Sequence, residues 1–461
     1  MSQPESAARR VSRVVFVGLL LDILAFTIIL PLLPRSLEAY KAREGADTST
    51  LLGMVLQQIA LLRARLQAAS ASRFLGQGAR ADLVLLGGML GSLYSLLQCL
   101  VAPAIGRAAD RFGRRRTLMA CMAGNIAWTL MWVFAGGFEV FLLARVVAGL
   151  SEGNVQISNT IIADVTDPAT RSHGMALVGI AFAVGFTVGP SIGAYFARLP
   201  LESPASGRAA FAFAPFATAA LFSLALLLVE SAYLFANLPE TLPARPPAAE
   251  KRRAAKPAPV LRRLNLLHFA YLFVFSGMEY TLTFLTHDRF GFSNMQQGKL
   301  LGFIGVVSTL LQGGWVRRVK GRSEHRDRGL VATGMVACAL GLLCVALCCT
   351  TPSAPGASPP LLLWAGALGF AVASATVVNC LNSIVSLVCS RADTGSRLGD
   401  FRSSGQIGRA LGPVFACSVY WLLGPSTCYF FGAAALAAVS AAFVAIVPAT
   451  PVVGGSPKKS Q

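Results

Sequence analysis

Two carboxyl groups of this sequence stand alone within long apolar runs. Asp22 lies nine residues after Arg13 in the first run, and Glu279 lies nine residues before Asp288 in a later one. At 1.5 Å per helical residue, each carboxyl would lie roughly 13 Å deep in a ~30 Å hydrocarbon layer. Because a charge at that depth is costly, each group must be protonated or paired. The chemistry open to them is proton binding and recognition of a charged solute.

A third apolar run, residues 139–163, carries polar side chains at helical spacing. The residues that would share one face of a continuous helix are Arg145, Gly149, Glu152, Gln156 and Asn159. Such a stripe is expected to face a water-filled cavity, since exposure to lipid would be costly. One alternative is an internal Arg145–Glu152 pair that only ties helices together. Asp22 likewise could exchange a proton, with Arg145 as its alternate partner, or form a structural pair with Arg145.

Glu279 has Tyr280 beside it and no basic residue close to it in its own run. Without a cation, this carboxyl is expected to be protonated at rest and able to donate a hydrogen bond to an anionic solute. The alternative is a structural carboxyl that bonds to a neighbouring helix or pairs with Arg409.

The composition explains why these groups matter. Of 461 residues, 54% are hydrophobic and 13% are charged, and the mean hydropathy is +0.61. Soluble domains carry about 25% charged residues, so this chain cannot cover a water-facing surface of its size. The net charge of +19 falls in short clusters between apolar runs, which indicates loops held on the cytoplasmic side rather than a nucleic-acid partner.

The elements that position these residues are helices of about twenty apolar residues. The predicted spans are 14–34, 83–104, 117–136, 139–163, 174–197, 209–236, 265–287, 297–315, 329–350, 361–388, 405–424 and 428–447. We therefore predict an all-α integral membrane protein with twelve transmembrane helices in two six-helix bundles. The short outer loops hold only Arg198, Arg208 and Arg289, so both termini are predicted to be cytoplasmic.

This division gives five segments. They are a cytoplasmic N-terminus at 1–13, an N-terminal bundle at 14–238, a basic cytoplasmic linker at 239–264, a C-terminal bundle at 265–447 and a cytoplasmic tail at 448–461. The outer loop 35–82 contains an apolar stripe of helical period: Leu51, Leu52, Val55, Ile59, Leu62 and Leu66. We predict a helix there that lies on the membrane or on the protein itself.

Other classes of function find no support in the residues. The four histidines, His173, His268, His287 and His325, are scattered without a metal-ligand motif, so no metal, no cofactor and no enzyme activity are predicted. No phosphate-binding loop of ATPases is present. Any active transport must therefore draw on gradients of ions or solutes.

The loop after the second span reads Gly106-Arg-Ala-Ala-Asp110-Arg111-Phe112-Gly113-Arg114-Arg115-Arg116. It resembles the signature of the major facilitator superfamily, with Ala108 in place of a leucine. Asp110 can meet the N-terminal end of a neighbouring helix while the arginines bind carboxylates or lipid phosphates, which would latch one closed state. The alternative is a plain cluster of positive charge.

The fifth span carries Gly185-Phe-Thr-Val-Gly189-Pro190-Ser-Ile-Gly193-Ala194, which resembles the antiporter motif of the same superfamily. Small residues allow close helix approach and the proline removes a backbone hydrogen bond, so the segment could act as a hinge and seal. Generic helix packing is the alternative. Gly408, Gly412 and Pro413 repeat the spacing of Gly185, Gly189 and Pro190 in the eleventh span, as expected for two related bundles.

Residues Leu143–Gly153 resemble the second motif of the superfamily, and residues Phe275–Phe290 resemble its vertebrate tetracycline-transporter-like branch. The resemblance covers the whole chain. It implies a proton-coupled antiporter of organic anions or amphipathic drugs, monomeric, in the plasma membrane or an intracellular membrane. Its partners would be a small organic solute, protons and the lipid bilayer. A facilitator or symporter of a sugar or other nutrient, or a transport-inactive receptor of this fold, remains an alternative.

Overall fold

The computed structural model describes most of the chain as helix. The described ranges are 3–29, 32–69, 79–167, 170–196, 213–242, 259–292, 294–316, 318–319, 323–350, 361–390 and 393–447. Within these ranges no β-strand occurs, which agrees with the predicted all-α class. The tail at 448–461 and most of the linker, residues 243–258, lie outside the described residues.

Fifteen α-helices occur in this described part. They are α1 (Gln3–Ile29), α2 (Leu33–Glu44), α3 (Leu51–Ala69), α4 (Ala79–Phe112), α5 (Arg114–Val133), α6 (Phe138–Ser151), α7 (Asn154–Val165), α8 (Arg171–Phe196), α9 (Ala217–Asn237), α10 (Pro259–Phe290), α11 (Asn294–Leu310), α12 (Ser323–Thr350), α13 (Leu361–Val388), α14 (Thr394–Leu423) and α15 (Pro425–Ile446). A π-helical turn, Leu311–Val316, continues α11.

Nine helical segments of the described residues are long and apolar enough to cross a membrane. Three further helices of at least twenty residues, α5, α10 and α14, pack among them but are interrupted by polar side chains. Asn125, Glu279 and Arg402 are examples, one on each helix. The count of twelve spans therefore stays a prediction.

The first predicted span, 14–34, does not coincide with a single helix. The helix α1 begins at Gln3, so the region predicted as an N-terminal segment is already helical, and it ends at Ile29. A separate helix, α2, begins at Leu33 with Pro34 in its first turn. Proline fits the first turn of a helix, where its missing N–H has no intrahelical partner, so Pro34 opens the second helix instead of closing the first.

The fourth predicted span, 139–163, is not one continuous helix. It divides at Glu152 and Gly153 into α6 and α7. A Cβ at Gly153 would lie 2.8 Å from Cys121 Sγ and 2.8 Å from Ile105 Cγ2, so only glycine fits this crowded position. The break invalidates the assumption of a constant 100° per residue, and the predicted polar stripe does not continue unchanged from α6 into α7.

The outer loop forms a helical hairpin, α2 and α3, packed on the N-terminal half. Leu52 and Ile59 of the predicted stripe are buried in one cluster with Trp128 and Trp132 of α5. Of the two predicted locations, the structure therefore shows α3 packed on the protein through these residues. The side chains of Leu62 and Leu66 lie outside the described residues.

The two halves meet along a seam that runs the length of α4 and α14. The helix α8 of the N-terminal half also packs against α11 and α13 of the C-terminal half. The repeated glycines lie at helix contacts inside each half. Gly185 and Gly189 of α8 face α1, and Gly408 and Gly412 of α14 face α10, as expected for two bundles with the same internal packing.

Candidate functional site

Asp22 is buried in the N-terminal half, with 6% of its side chain exposed. Its Oδ1 accepts hydrogen bonds from Asn154 Nδ2 at 2.9 Å and from Asn125 Nδ2 at 3.3 Å. Neither partner is Arg145, so the structure does not form the structural pair that was one alternative. Amide donors stabilise a carboxylate less than a cation does, which leaves Asp22 able to accept a proton.

Glu152 lies at the break between α6 and α7 and faces the other half. Its Oε1 is 3.6 Å from Arg402 Nη2 of α14, and both side chains are largely buried. Arg402 Nη2 also donates to Gln98 Oε1 of α4 at 3.3 Å. The ion pair therefore crosses the seam between the halves, whereas the predicted internal alternative, Arg145 with Glu152, is absent from the described residues.

Arg145 is surrounded by aromatic rings. Its guanidinium carbon lies 5.0 Å from the centre of the Tyr94 ring and 5.9 Å from that of Trp132. Gln156, a further polar residue of the predicted stripe, donates from Nε2 to Ala102 O at 3.0 Å. Glu152 and Gln156 thus lie at the seam, whereas Arg145 lies inside the N-terminal half.

The C-terminal half contributes Glu279, Tyr280 and Arg409. Glu279 of α10 and Arg409 of α14 are both exposed and lie within electrostatic range of each other. No salt bridge joins them in the described part of the chain. Tyr280 points to the other half, because a Cβ at Gly88 of α4 would lie 2.8 Å from its hydroxyl oxygen.

Asp110 joins the two halves at the end of the seam. Its Oδ1 accepts from the amide of Gly395 at 3.0 Å and its Oδ2 from the amide of Ser396 at 2.6 Å, in the first turn of α14. A carboxylate at a helix N-terminus neutralises the exposed amides and the positive end of the dipole. Gly106 permits this approach, since a Cβ there would lie 2.3 Å from Gly395 O.

The arginines of the same motif bind within the N-terminal half. Arg114 is fully buried, donates from Nε to Asp164 Oδ2 at 2.9 Å and forms a short contact with Asp110. Arg115 lies over the Phe235 ring of α9, and Arg111 lies over the ring of its neighbour Phe112. The motif therefore orients the Asp110 carboxylate and connects α4 and α5 with α7 and α9.

Gly113 has a backbone φ of 107°, a conformation that favours glycine, and it opens α5. Glu240, just after α9, caps that helix: the amide of Arg114 donates to its Oε1 at 2.8 Å and the amide of Arg115 to its Oε2 at 3.2 Å. A Cβ at Gly113 would lie 2.4 Å from Glu240 Oε2. Glu240 thus ties the chain that follows α9 to the start of α5.

The glycines of the antiporter-like motif all face α1. A Cβ would lie 2.5 Å from Ile23 Cγ2 at Gly185, 2.0 Å from Thr27 Oγ1 at Gly189 and 2.1 Å from Ile28 O at Gly193. Thr27 Oγ1 also lies 2.9 Å from Gly185 O, to which it donates. The helix α8 continues through Pro190. This geometry is close helix packing inside one half, and a hinge role stays a prediction.

Two residues of the site were missed from the sequence. Arg402 lies seven residues before Arg409, a spacing that would have predicted a basic face on α14. Glu230 of α9 is 1% exposed and lies within electrostatic range of Asp22 and Glu152, and its Oε2 has no hydrogen-bond partner among the described residues. Within these residues no group of three or more His, Cys, Asp or Glu side chains could hold a metal.

Comparison with known proteins gives consistent results. A sequence profile described as Major Facilitator Superfamily matches residues 15–413. Major facilitator superfamily domain-containing protein 10 of Homo sapiens is 38% identical over 464 residues, covering 91% of this chain and 90% of that protein. The class C tetracycline resistance protein of Escherichia coli is 28% identical over 273 residues, covering 56% of this chain and 63% of that protein.

A solved structure matches over nearly the whole fold. The crystal structure of the human organic anion transporter MFSD10 (TETRAN) aligns with a TM-score of 0.80 at 33% sequence identity. The alignment covers 95% of this chain and 99% of that chain.

Proposed function

The chain belongs to the major facilitator superfamily, and from this premise we propose that it is a proton-coupled transporter of organic anions that works by alternating access. As a member, it is a membrane transporter and not an enzyme. The substrate class is supported by its similarity to a structure described as an organic anion transporter. Antiport is the mode that the Gly185–Gly193 motif predicts.

The observation that carries this proposal is the ion pair between Glu152 and Arg402, beside the buried carboxyl of Asp22. A proton on Glu152 cancels the charge that holds Arg402, and Arg402 belongs to the opposite half. Protonation therefore changes the free energy of the contact between halves, which is the requirement for coupling a proton to a conformational change. Asp22 and Glu152 are the proposed proton carriers.

The solute site is proposed to lie between the halves. Arg145 and Gln156 of the N-terminal half and Glu279, Tyr280 and Arg409 of the C-terminal half supply groups that can bind an anion's charge and body. The contact of Asp110 with Gly395 and Ser396 is proposed to latch the state closed at that end. We propose that this end is cytoplasmic, with both termini, and that the transporter is monomeric.

A second mode, symport, is favoured by the same ion pair. When Glu152 is protonated, Arg402 loses its carboxylate partner and becomes available to an anion, so that proton and anion bind the same state. Antiport requires the opposite, that proton and solute occupy alternate states. The direction of flux in an imposed pH gradient separates the two modes.

The test is flux of radiolabelled organic anions in proteoliposomes with one side acidified. Antiport predicts solute movement toward the acid side, and symport predicts movement away from it. Asp22→Asn is expected to abolish the gradient-driven component but to retain solute exchange at equal pH, whereas Asp47→Asn in the outer hairpin keeps both. Full gradient-driven flux in Asp22→Asn, or flux indifferent to the gradient in the unmodified protein, contradicts the proposal.

If Asp22 is instead a purely structural residue, its replacement lowers stability along with flux. Thermal denaturation of the purified Asp22→Asn variant distinguishes this outcome.

A further inference from the structure

Arg145 is a buried cation with no anionic partner in the part of the chain that the structure describes. Only 5% of the residue is exposed, and its Nε has no hydrogen-bond partner there. The contacts recorded for its guanidinium are the faces of Tyr94 and Trp132. Ring faces attract a cation, but they offset only part of the cost of removing a full charge from water.

The two carboxylates that the sequence suggests as partners of Arg145 have other contacts. Glu152 pairs with Arg402 of the opposite half, and Asp22 accepts from two asparagine amides. The charge of Arg145 is therefore not balanced by the groups that its sequence position suggests. A buried arginine of this kind is expected to meet an anion that is supplied from outside the chain.

The surroundings of Arg145 define the body of that anion. A crevice that is too tight to hold a water molecule in this conformation is lined by Phe26, Ile29, Leu33, Trp128, Trp132 and Arg145. Three of the six lining residues are aromatic, two are aliphatic, and the only charged group is the guanidinium. Aromatic walls favour a flat ring by stacking and edge contacts. One cation with five donors in a planar fork favours a carboxylate or sulfonate.

We propose that this crevice is a subsite for an aryl carboxylate or aryl sulfonate, with the acid group bound to Arg145 and the ring held between Phe26 and Trp128. The inference rests on the proposed transport of organic anions and assigns that function a specific anion-binding residue in the N-terminal half. Because the crevice has no room for a water molecule in this conformation, its walls must separate when the ligand enters.

The outer hairpin forms one wall of this subsite. Leu33, the first residue of α2, lines the crevice, and the Tyr40 hydroxyl donates to Ala135 O at 2.6 Å just beyond the end of α5. The ring of Phe141 lies between the rings of Tyr40 and Trp132, with its centre 5.4 Å from that of Tyr40 and 5.0 Å from that of Trp132. Movement of the hairpin would therefore change access to Arg145.

The test is equilibrium binding of radiolabelled benzoate to the purified full chain in lipid nanodiscs. Unlabelled benzoate, benzamide and cyclohexanecarboxylate serve as competitors. We expect benzoate to compete best, because benzamide lacks the charge and cyclohexanecarboxylate lacks the flat ring. Arg145→Gln is expected to weaken benzoate binding about tenfold or more, as for loss of a hydrogen bond to a charged group. Arg263→Gln, an exposed arginine of α10, is the matched control and should bind as the unmodified chain does.

Equal competition by all three compounds overturns the subsite, and so does unchanged benzoate affinity in Arg145→Gln. If Arg145→Gln fails to fold, Trp128→Leu replaces it and is expected to abolish the preference for benzoate over cyclohexanecarboxylate. Failure of the subsite and failure of the proposed function are distinguishable. Arg145-dependent binding without gradient-driven flux keeps the subsite and removes proton coupling, whereas gradient-driven flux with Arg145-independent binding does the reverse.

Discussion

Glu152 and Arg402 form an ion pair whose two members belong to opposite halves of the transporter, with Oε1 and Nη2 3.6 Å apart. The pair is largely screened from solvent, so losing one partner leaves an uncompensated charge at the seam. Removing both partners leaves none. The stability of this conformation should therefore respond non-additively to neutral substitutions.

A double-mutant cycle tests this expectation by thermal denaturation. Glu152→Gln alone is expected to destabilise the protein, by on the order of 3 kcal/mol for a buried pair. The double variant Glu152→Gln/Arg402→Gln should be more stable than Glu152→Gln. Strict additivity of the two single effects would show that the pair carries no coupling energy.

Asp110→Asn is expected to lower the turnover of transport more than the solute affinity. The substitution removes the charge of a carboxylate that accepts two backbone amides of α14, and hydrogen bonds to charged groups contribute about 1.5–3 kcal/mol. It therefore shifts the balance between conformations by about tenfold or more without touching the cavity. Initial rates across solute concentrations separate turnover from half-saturation.

The control is Asp393→Asn, a carboxyl at the same end that pairs with Arg397 and Ser390 of its own half. A change in half-saturation alone for Asp110→Asn argues against the latch.

Gly189→Ala is expected to lower stability and flux, because the new Cβ would lie 2.0 Å from Thr27 Oγ1 and force α8 away from α1. Adding Thr27→Ala removes that oxygen and should restore part of the stability, because the Cβ of residue 27 would still lie 2.8 Å from the new Cβ. We expect flux to stay low in the double variant if the segment bends during transport. Full recovery of flux along with stability would show that the glycine serves packing alone. Gly329→Ala, where a Cβ meets nothing within 4 Å, is the control.

The sequence predicted the helical class, the motifs and the contact of Asp110 with a helix N-terminus, because these depend on local chemistry. It did not predict the partners of Arg145 and Glu152, since both were placed on one unbroken helix. The break falls at Gly153, where Cys121 and Ile105 of other helices leave no room for a Cβ. Arg402 was missed for a related reason: its partner, Glu152, belongs to the other half and is distant in sequence.

Glu279→Gln is expected to flatten the pH dependence of solute affinity. The exposed Glu279 carboxyl lies near Arg409, so an ionised Glu279 weakens the attraction of that cation for an anion, whereas a protonated one can donate a hydrogen bond. Affinity in the unmodified protein should therefore fall as pH rises. Binding measured from about pH 5.5 to about pH 8.5 checks this.

Glu139→Gln, an exposed carboxyl in the first turn of α6, should keep the slope of the unmodified protein. A slope unchanged in Glu279→Gln contradicts the assignment.

The cap that Glu240 places on α5 has a mechanical consequence. The chain that follows α9 leads toward the second half. Directly after α9, its Glu240 side chain accepts hydrogen bonds from the amides of Arg114 and Arg115. The side chain of Arg114 also forms salt bridges with Asp110 and Asp164. The chain that leaves α9 is therefore fixed at the start of α5, next to the contact that Asp110 makes with the first turn of α14. A displacement of α9 would reach the interface between the halves through Glu240 and Arg114.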